Sequence, residues 1–314
     1  RWSAFPSGRG LARMSEKKLW RLSANNAGNY IMQKFNIVIA SSAKEKERLH
    51  SQCFFEIALV LKYGLEELGY EVWSTDGLRR DCTNIILGYH LLDGKVLPKG
   101  YDCIIYQLEE LHAQGSLPFR ILDTLSSPDV IVWDFSQQNI EFLANLGINA
   151  IHKPIGFHPQ MYRINHSPEK NVDVLFYGSK NERRLRLLRA LDKTCNLKML
   201  FGAYGAVRDQ WIARSKIVVS IYYYETKFYD DVRMSYLLNN KVFTIVEDTP
   251  HRQHEDFVIY TDYDNIVDTC QYYIEKPALR TEITEKAFQR FAEYPESEFL
   301  KMALSKSRPI AVPV

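Results

Sequence analysis

The chain has 314 residues, 46% of them hydrophobic and 13% aromatic, with a formal net charge of +2. That length suits two domains of roughly 150 residues each, and the composition excludes an intrinsically disordered chain. Residues 1–31 hold six Lys or Arg (Arg1, Arg9, Arg13, Lys17, Lys18, Arg21) against Glu16 alone, so the remainder is slightly negative and offers nucleic acid no basic stripe.

The basic start lacks the apolar core of a secretory signal. It reads as a transit-like arm, a membrane-surface arm or an extension before Met32. The last is favoured because "KFNIVIA" makes a natural first strand. From there short apolar runs alternate with amphipathic ones. "FNIVIASS" is a strand, and Phe54, Ile57, Ala58, Leu61, Leu65 and Leu68 make one face of a helix closed by Gly69. "YEVWST", "NIILGYHLL", "YDCIIYQLEEL" and "DVIVWDFS" are further strands. A helix, "QQNIEFLANLG", closes on Gly147, and "NAIHKPIG" is a last strand.

The stretch "GFHPQMYRINHSPEKN" breaks the rhythm with two prolines and no period, and reads as a linker. The alternation then restarts: strand "VDVLFYGS", helix "NERRLRLLRALDK", strand "NLKMLFG", helix "AVRDQWIARSK", strand "IVVSIYYYE", helix "DDVRMSYLLNN" and strand "VFTIVED". Strand "DFVIYTD" and helix "NIVDTCQYYIEK" follow, and two more helices finish the chain. Continuous apolar strands between helices imply parallel sheets covered on both faces. One α/β layout is thus used twice, with boundaries at 1–31 (extension), 32–155, 156–171 (linker), 172–295 and 296–314. The final helix is expected to pack back on the first domain. Ligands of such sheets bind beyond the carboxyl ends of the strands, so two facing sheets make a cleft.

Five widely spaced cysteines (Cys53, Cys82, Cys103, Cys195, Cys270) without a C-x-x-C pair argue for reduced thiols in a cytosolic protein. No run of about 18 apolar residues predicts a transmembrane helix. The familiar fingerprints are missing: no G-x-G-x-x-G, no G-x-x-x-x-G-K-[ST] and no G-x-S-x-G. His251 and His254 stand in a loop-like stretch, and no metal site is expected there.

Charge gathers instead at the strand ends of the second half. Gly178 and Ser179 follow a strand and precede a helix, where backbone N–H groups and the helix dipole can meet an anion, with Lys180, Arg183 and Arg184 beside them. Gly202 and Gly205 flank Tyr204, a thin backbone with a ring for a nucleobase. "YYYETKFYDDVR" carries Tyr224, Glu225, Lys227, Asp230, Asp231 and Arg233 across one strand-to-helix junction. Its amides and Lys227 could hold a diphosphate, Glu225 could accept from sugar hydroxyls, and Arg233 could pair with phosphate. The alternative is that Asp230 and Asp231 cap the helix with Arg233 paired to one of them, which leaves Glu225 and Lys227 unexplained.

The stretches "DVLFYGSKNERRLRLLRAL", "FGAYGAVRDQWIARSKIVVSIYYYE" and "VRMSYLLNN" resemble bacterial and viral glycosyltransferases of the GT-B fold. They are most similar to the group-one glycosyltransferase domain related to the spore-protein-like family. "VIVWDFSQQNIEFLANLGINAIHKPIGFHP" and the closing "YTDYDNIVDTCQYYIEKPALRTEITEKAFQRF" extend the resemblance over roughly residues 100–295. It implies two Rossmann-like domains facing across a cleft, with a nucleotide-diphosphate sugar as substrate on the second. A glycan, lipid or protein acceptor would meet the first, and no metal or other cofactor is implied. Many retaining members carry E-x7-E at the junction. Glu225 matches its first glutamate, whereas Arg233 stands at the second. The ribose contact and the stereochemical outcome therefore stay open, with Asp230 or Asp231 as the alternative carboxylate.

An inverting enzyme needs a general base on the first domain. The candidates are Glu45, Glu47, His50, Glu109, Glu110 and Asp134, of which Glu109 and Glu110 are best placed. The alternatives are a nucleotide-sugar epimerase or phosphorylase on the same fold, or a non-catalytic glycan-binding protein.

Overall fold

The computed structural model describes residues 22–24, 30–41, 51–92, 97–111 and 119–307. Strands β1 (Leu22–Ala24) and β2 (Tyr30–Met32) pair antiparallel, so part of the expected extension is in strand. The candidate bases Glu45, Glu47 and His50 lie outside the described residues.

The first lobe is built on a parallel sheet of β3 (Lys34–Ile39), β4 (Glu71–Ser74), β5 (Thr83–Leu87), β6 (Asp102–Gln107), β7 (Val130–Asp134) and β8 (Ala150–His152), in the order β4-β3-β5-β6-β7-β8. β5 is buried along its whole length, as the apolar run requires of a strand covered on both faces. Helix α1 (Phe55–Glu67) lays Ile57, Ala58, Leu61 and Leu65 on the sheet and ends before Gly69, whose φ of 85° suits a helix terminus. Helix α2 (Phe119–Leu125), which the sequence pattern did not flag, supplies the crossover between β6 and β7 and buries Ile121 and Leu125. Helix α3 (Gln137–Asn145) completes the lobe.

The second sheet, also parallel, comprises β9 (Val172–Tyr177), β10 (Leu197–Leu200), β11 (Ser215–Ser220), β12 (Thr244–Glu247) and β13 (Ile259–Thr261), in the order β10-β9-β11-β12-β13. It carries α4 (Glu182–Leu191), α5 (Gly205–Ala213), α6 (Asp231–Asn239), α7 (Ile266–Ile274) and α8 (Pro277–Phe291). β11 ends at Ser220, short of the tyrosines expected in it. Beyond Ser220 the amide of Tyr222 donates to the Glu247 carboxylate at 3.1 Å, and the chain leaves the sheet.

The connecting segment is held at defined points. Asn240 Oδ1 accepts from the amides of Arg163 (2.7 Å) and Ile164 (2.9 Å), and Asn239 Oδ1 from that of His158 (3.1 Å). The last helix, α9 (Glu296–Lys306), lies against α1 of the first lobe. A Cβ on Gly64 would meet Leu300 and Glu296 at 2.7–2.8 Å, so only glycine permits this approach. Glu296 is fully buried there, paired with Lys153 and accepting from the Gly156 amide at 2.7 Å. These ties hold the lobes with the carboxyl ends of both sheets facing one space. Among the described residues no helix is long and apolar enough to cross a membrane.

Candidate functional site

A cavity of 520 Å³ opens between the lobes. The first lobe contributes Cys53 and Phe54 from the turn before α1, Glu56 from its first turn, and Leu108, Glu109 and Glu110 from the loop after β6. The second contributes the loops after β9, β10 and β11 and the first turn of α6.

Two arginines meet at the loop after β9. Gly178 has φ 143°, outside the range of ordinary side chains. The position of a Cβ on it lies 3.3 Å from Arg233 Nη2 and 3.5 Å from Arg184 Nη1. Arg184 is anchored by Nε to the Ile221 carbonyl (2.8 Å) and Nη1 to the Ser179 carbonyl (2.8 Å), with its guanidinium over Tyr223. Burial and the neighbouring Arg233 bring its pKa down to about 10, so it stays charged. Arg233 stacks over Tyr177 at 4.7 Å and pairs through Nε with Asp230 at 3.2 Å. Its Nη1 is buried with no hydrogen-bond partner among the described residues. Two like charges side by side, one with an unused donor, form a site that an anion would relieve.

Carboxylates face them. Burial is the main cause that pushes Glu109 and Glu110 up to about 7, with Asp230 adding to both. The Glu109 side chain keeps 41% exposure, but the surrounding walls strip enough water from it to disfavour the charge. Glu110 accepts from Thr226 Oγ1 across the cleft at 3.3 Å. His90 Nε2 stands 3.6 Å from Glu109. Burial brings its imidazole down to about 4, so near pH 7 it is neutral.

Of the residues singled out in the sequence, Glu109, Glu110, Gly178, Ser179, Arg184, Gly202, Tyr204, Tyr224, Asp230 and Arg233 line this cavity. Gly205 opens α5 and faces a neighbouring hollow that shares Tyr204. Lys180 is exposed and outside the lining. Arg183 turns away from the cavity. It grips the fully buried Glu247 with both Nη groups, and its Nε sits 3.3 Å from Glu225. Lys227 joins the same carboxylate at 3.1 Å. Glu225 is thus on the rim, its side chain 84% exposed. Asp230 caps α6, accepting from the Arg233 amide at 3.1 Å. Asp231 is buried, 3.4 Å from His254 and 3.5 Å from the Ile155 amide. Asp134 is fully buried behind Asn139 and Ser136, away from the lining.

The resemblance implies Lys180 and Arg183 as the basic pair after the first strand of the second domain, but the structure brings Arg184, one position on, to the cavity instead. Glu56, Arg208 and Tyr177 were passed over. Arg208 reaches Glu56 at 2.8 Å and stacks on Tyr236 at 4.5 Å. Nothing local marks that pair, since its members come from different lobes.

No protein-family model matches the chain. Uncharacterized protein R358 of Acanthamoeba polyphaga mimivirus is 27% identical over 166 residues, covering 49% of this chain and 58% of that protein. The chain therefore spans less than two thirds of that relative. Among solved structures, Anabaena Alr3699/HepE in complex with UDP and glucose superposes with a TM-score of 0.57 at 11% identity, covering 88% of this chain and 100% of that one. AviGT4, a glycosyltransferase involved in avilamycin A biosynthesis, gives 0.52 at 12% identity over 88% and 99%. A point mutant of S. aureus TarM, solved with fondaparinux, alpha-GlcNAc-glycerol and UDP, gives 0.51 at 12% identity over 82% of this chain and 58% of that one. At such identities the likeness is one of fold: two parallel α/β lobes across a cleft, the GT-B architecture of these glycosyltransferases.

Proposed function

We propose that the chain is a glycosyltransferase that moves a sugar from a nucleotide-diphosphate donor to an acceptor hydroxyl in glycan biosynthesis. The observation that carries this reading is the convergence of Arg184 and Arg233 on Gly178, with a buried guanidinium nitrogen that has no partner among the described residues. Two guanidinium groups beside a thin backbone suit the charge of a diphosphate better than a neutral ligand. The Gly178 amide donates to the Leu200 carbonyl at 3.1 Å, so neutralising the phosphates falls to the two guanidinium groups. The cavity's aromatic wall, with Tyr204, Tyr223 and Tyr224, offers faces for a base or a sugar ring.

In the inverting branch, Glu109 or Glu110 takes the proton of the acceptor hydroxyl. The acceptor oxygen bonds to the anomeric carbon, and the bond from that carbon to the phosphate oxygen breaks. The electron pair leaves on the nucleoside diphosphate, where Arg184 and Arg233 stabilise it. Two carboxyls raised to about 7 are matched to such a proton transfer at neutral pH. This branch is favoured over the retaining one because the junction glutamate, Glu225, faces solvent beside Arg183 instead of the cavity. Guanidinium groups do the charge neutralisation in this scheme, so no metal is assigned a role.

The test is calorimetry with UDP, GDP, TDP and ADP, followed by nucleotide release from the matching sugars with and without acceptors. Binding of one nucleotide at micromolar levels and acceptor-dependent release are expected. If none binds at millimolar concentration, the reading fails.

A further inference from the structure

The loop that carries Glu109 and Glu110 is pinned by buried amides. Gln107, the last residue of β6, accepts through Oε1 from the amides of Leu108 (3.0 Å) and Glu109 (3.1 Å), and its Nε2 donates to the Glu109 carbonyl at 2.5 Å. Asn139, on α3, donates to the same carbonyl at 2.8 Å and accepts from the Leu111 amide at 2.9 Å. Its orientation is fixed in turn by Asp134, whose two oxygens each receive Asn139 Nδ2 at 3.1 Å. Gln107 and Asp134 are register partners at the ends of β6 and β7. All three side chains are almost completely buried.

Burying three polar side chains is costly unless their hydrogen bonds are filled, and here most are spent on residues 108–111. Among the described residues the glutamate side chains themselves are loosely held, by one 3.3 Å hydrogen bond to Thr226 and one 3.6 Å approach to His90. Their backbone, not their side-chain contacts, therefore sets where the carboxyls stand.

We infer that Asn139 and Gln107 are positioning residues that hold Glu109 and Glu110 against the cleft, with Asp134 orienting Asn139. This deepens the proposed reaction and rests on it only for its kinetic consequence. The carboxyls stand in a defined field. Among the described residues the groups facing the pair are His90, Asp230, Arg184, Cys53, Tyr89 and Tyr224. A loop freed from its clamps would move the carboxyls toward water and out of that field.

The experiment uses the full chain with Asn139→Leu and, as a second variant, Gln107→Met. Carboxyl 13C NMR from pH 5 to 9 reads the glutamates directly in unliganded protein, with Glu109→Gln and Glu110→Gln supplying the assignments. Each folded variant is expected to titrate the pair about one pH unit lower than wild type. Its kcat should fall roughly 10- to 100-fold, a partial loss of the roughly 100- to 10,000-fold that positioned proton transfer supplies. Nucleotide affinity should stay within about twofold, because the arginine site is on the other lobe. An unchanged titration in a folded variant overturns the inference. Loss of the folded state in both variants does so too, since the amides would then be purely structural. Absence of transfer by the wild-type chain would instead sink the glycosyl-transfer reading and leave the titration to judge the positioning.

Discussion

Arg208 of the second lobe donates to Glu56 of the first at 2.8 Å, with both side chains only 7% exposed. The two are 152 residues apart in sequence, so their pair fastens the lobes at the cleft itself. Removing one partner leaves a buried charge, which costs about 3–5 kcal/mol, whereas replacing both with apolar groups is often close to neutral. Arg208→Met should therefore destabilise the chain by about 3 kcal/mol in urea denaturation, and Glu56→Leu combined with Arg208→Met by clearly less. Equal stability of wild type and the single variant would show that water reaches the pair.

Adjacent arginines on α4 are expected to separate by role. Arg183 holds the buried Glu247, while Arg184 meets the cavity. Arg184→Ala should weaken binding of a nucleoside diphosphate at least about tenfold, the loss of one charged hydrogen-bonding partner, and Arg233→Ala should do the same. Arg183→Ala should mainly lower stability, by about 2 kcal/mol, because Lys227 and the Tyr222 amide still serve Glu247. Glu225→Gln should leave nucleotide affinity within about twofold, given its place on the rim. Calorimetry and denaturation on the same four variants separate the two effects, and equal affinity loss for Arg183→Ala and Arg184→Ala would contradict the division.

The fold was legible in the sequence because its signals are local. The buried run of β5, the helical face of α1 and the glycines after α1 and α3 each announce an element without reference to the rest of the chain. Helix α2 was missed because residues 119–125 are too few to show a period. The site was legible only in part for the same reason. Gly178, Glu109, Glu110 and Arg233 sit at strand-to-helix junctions, where function is expected. Choosing between Arg183 and Arg184 needs the helix phase, which one residue decides. Glu247 looks like any strand end, yet its burial pulls Arg183 and Lys227 away from the cavity and leaves Glu225 on the rim.

Gly178 offers a sharper probe of the arginine site. A methyl group there meets Arg233 at 3.3 Å and Arg184 at 3.5 Å, on a backbone of φ 143°. Gly178→Ala should cost about 1–3 kcal/mol of stability through strain, and it should press on the Arg233 guanidinium, the closer of the two. The expected result is a folded protein with nucleotide affinity reduced at least about tenfold, read by calorimetry. Wild-type affinity in that variant would move the anion site away from this turn.

The two raised carboxyls give opposite pH dependences for activity and stability. A base must be ionised, so transfer should rise with pH through an apparent midpoint near 7 that belongs to the Glu109–Glu110 pair. Stability runs the other way. Between the ordinary carboxyl value of 4.5 and about 7, the folded chain keeps protons that the unfolded chain has released. The pair's contribution is thus complete below the lower value and is lost as pH rises through the upper one. His90, lowered from 6.5 to about 4, has the opposite sign: the folded chain binds fewer protons over that range, so its contribution grows with pH. The whole-protein curve mixes these terms, and a Glu109→Gln/Glu110→Gln double variant isolates one of them. Its denaturation midpoint should exceed that of wild type by more at pH 8 than at pH 5, because glutamine cannot acquire the buried charge that the wild type acquires over that interval. A gap independent of pH would mean that both carboxyls titrate in the fold as they do in water, and would remove the basis for assigning either as the base at neutral pH.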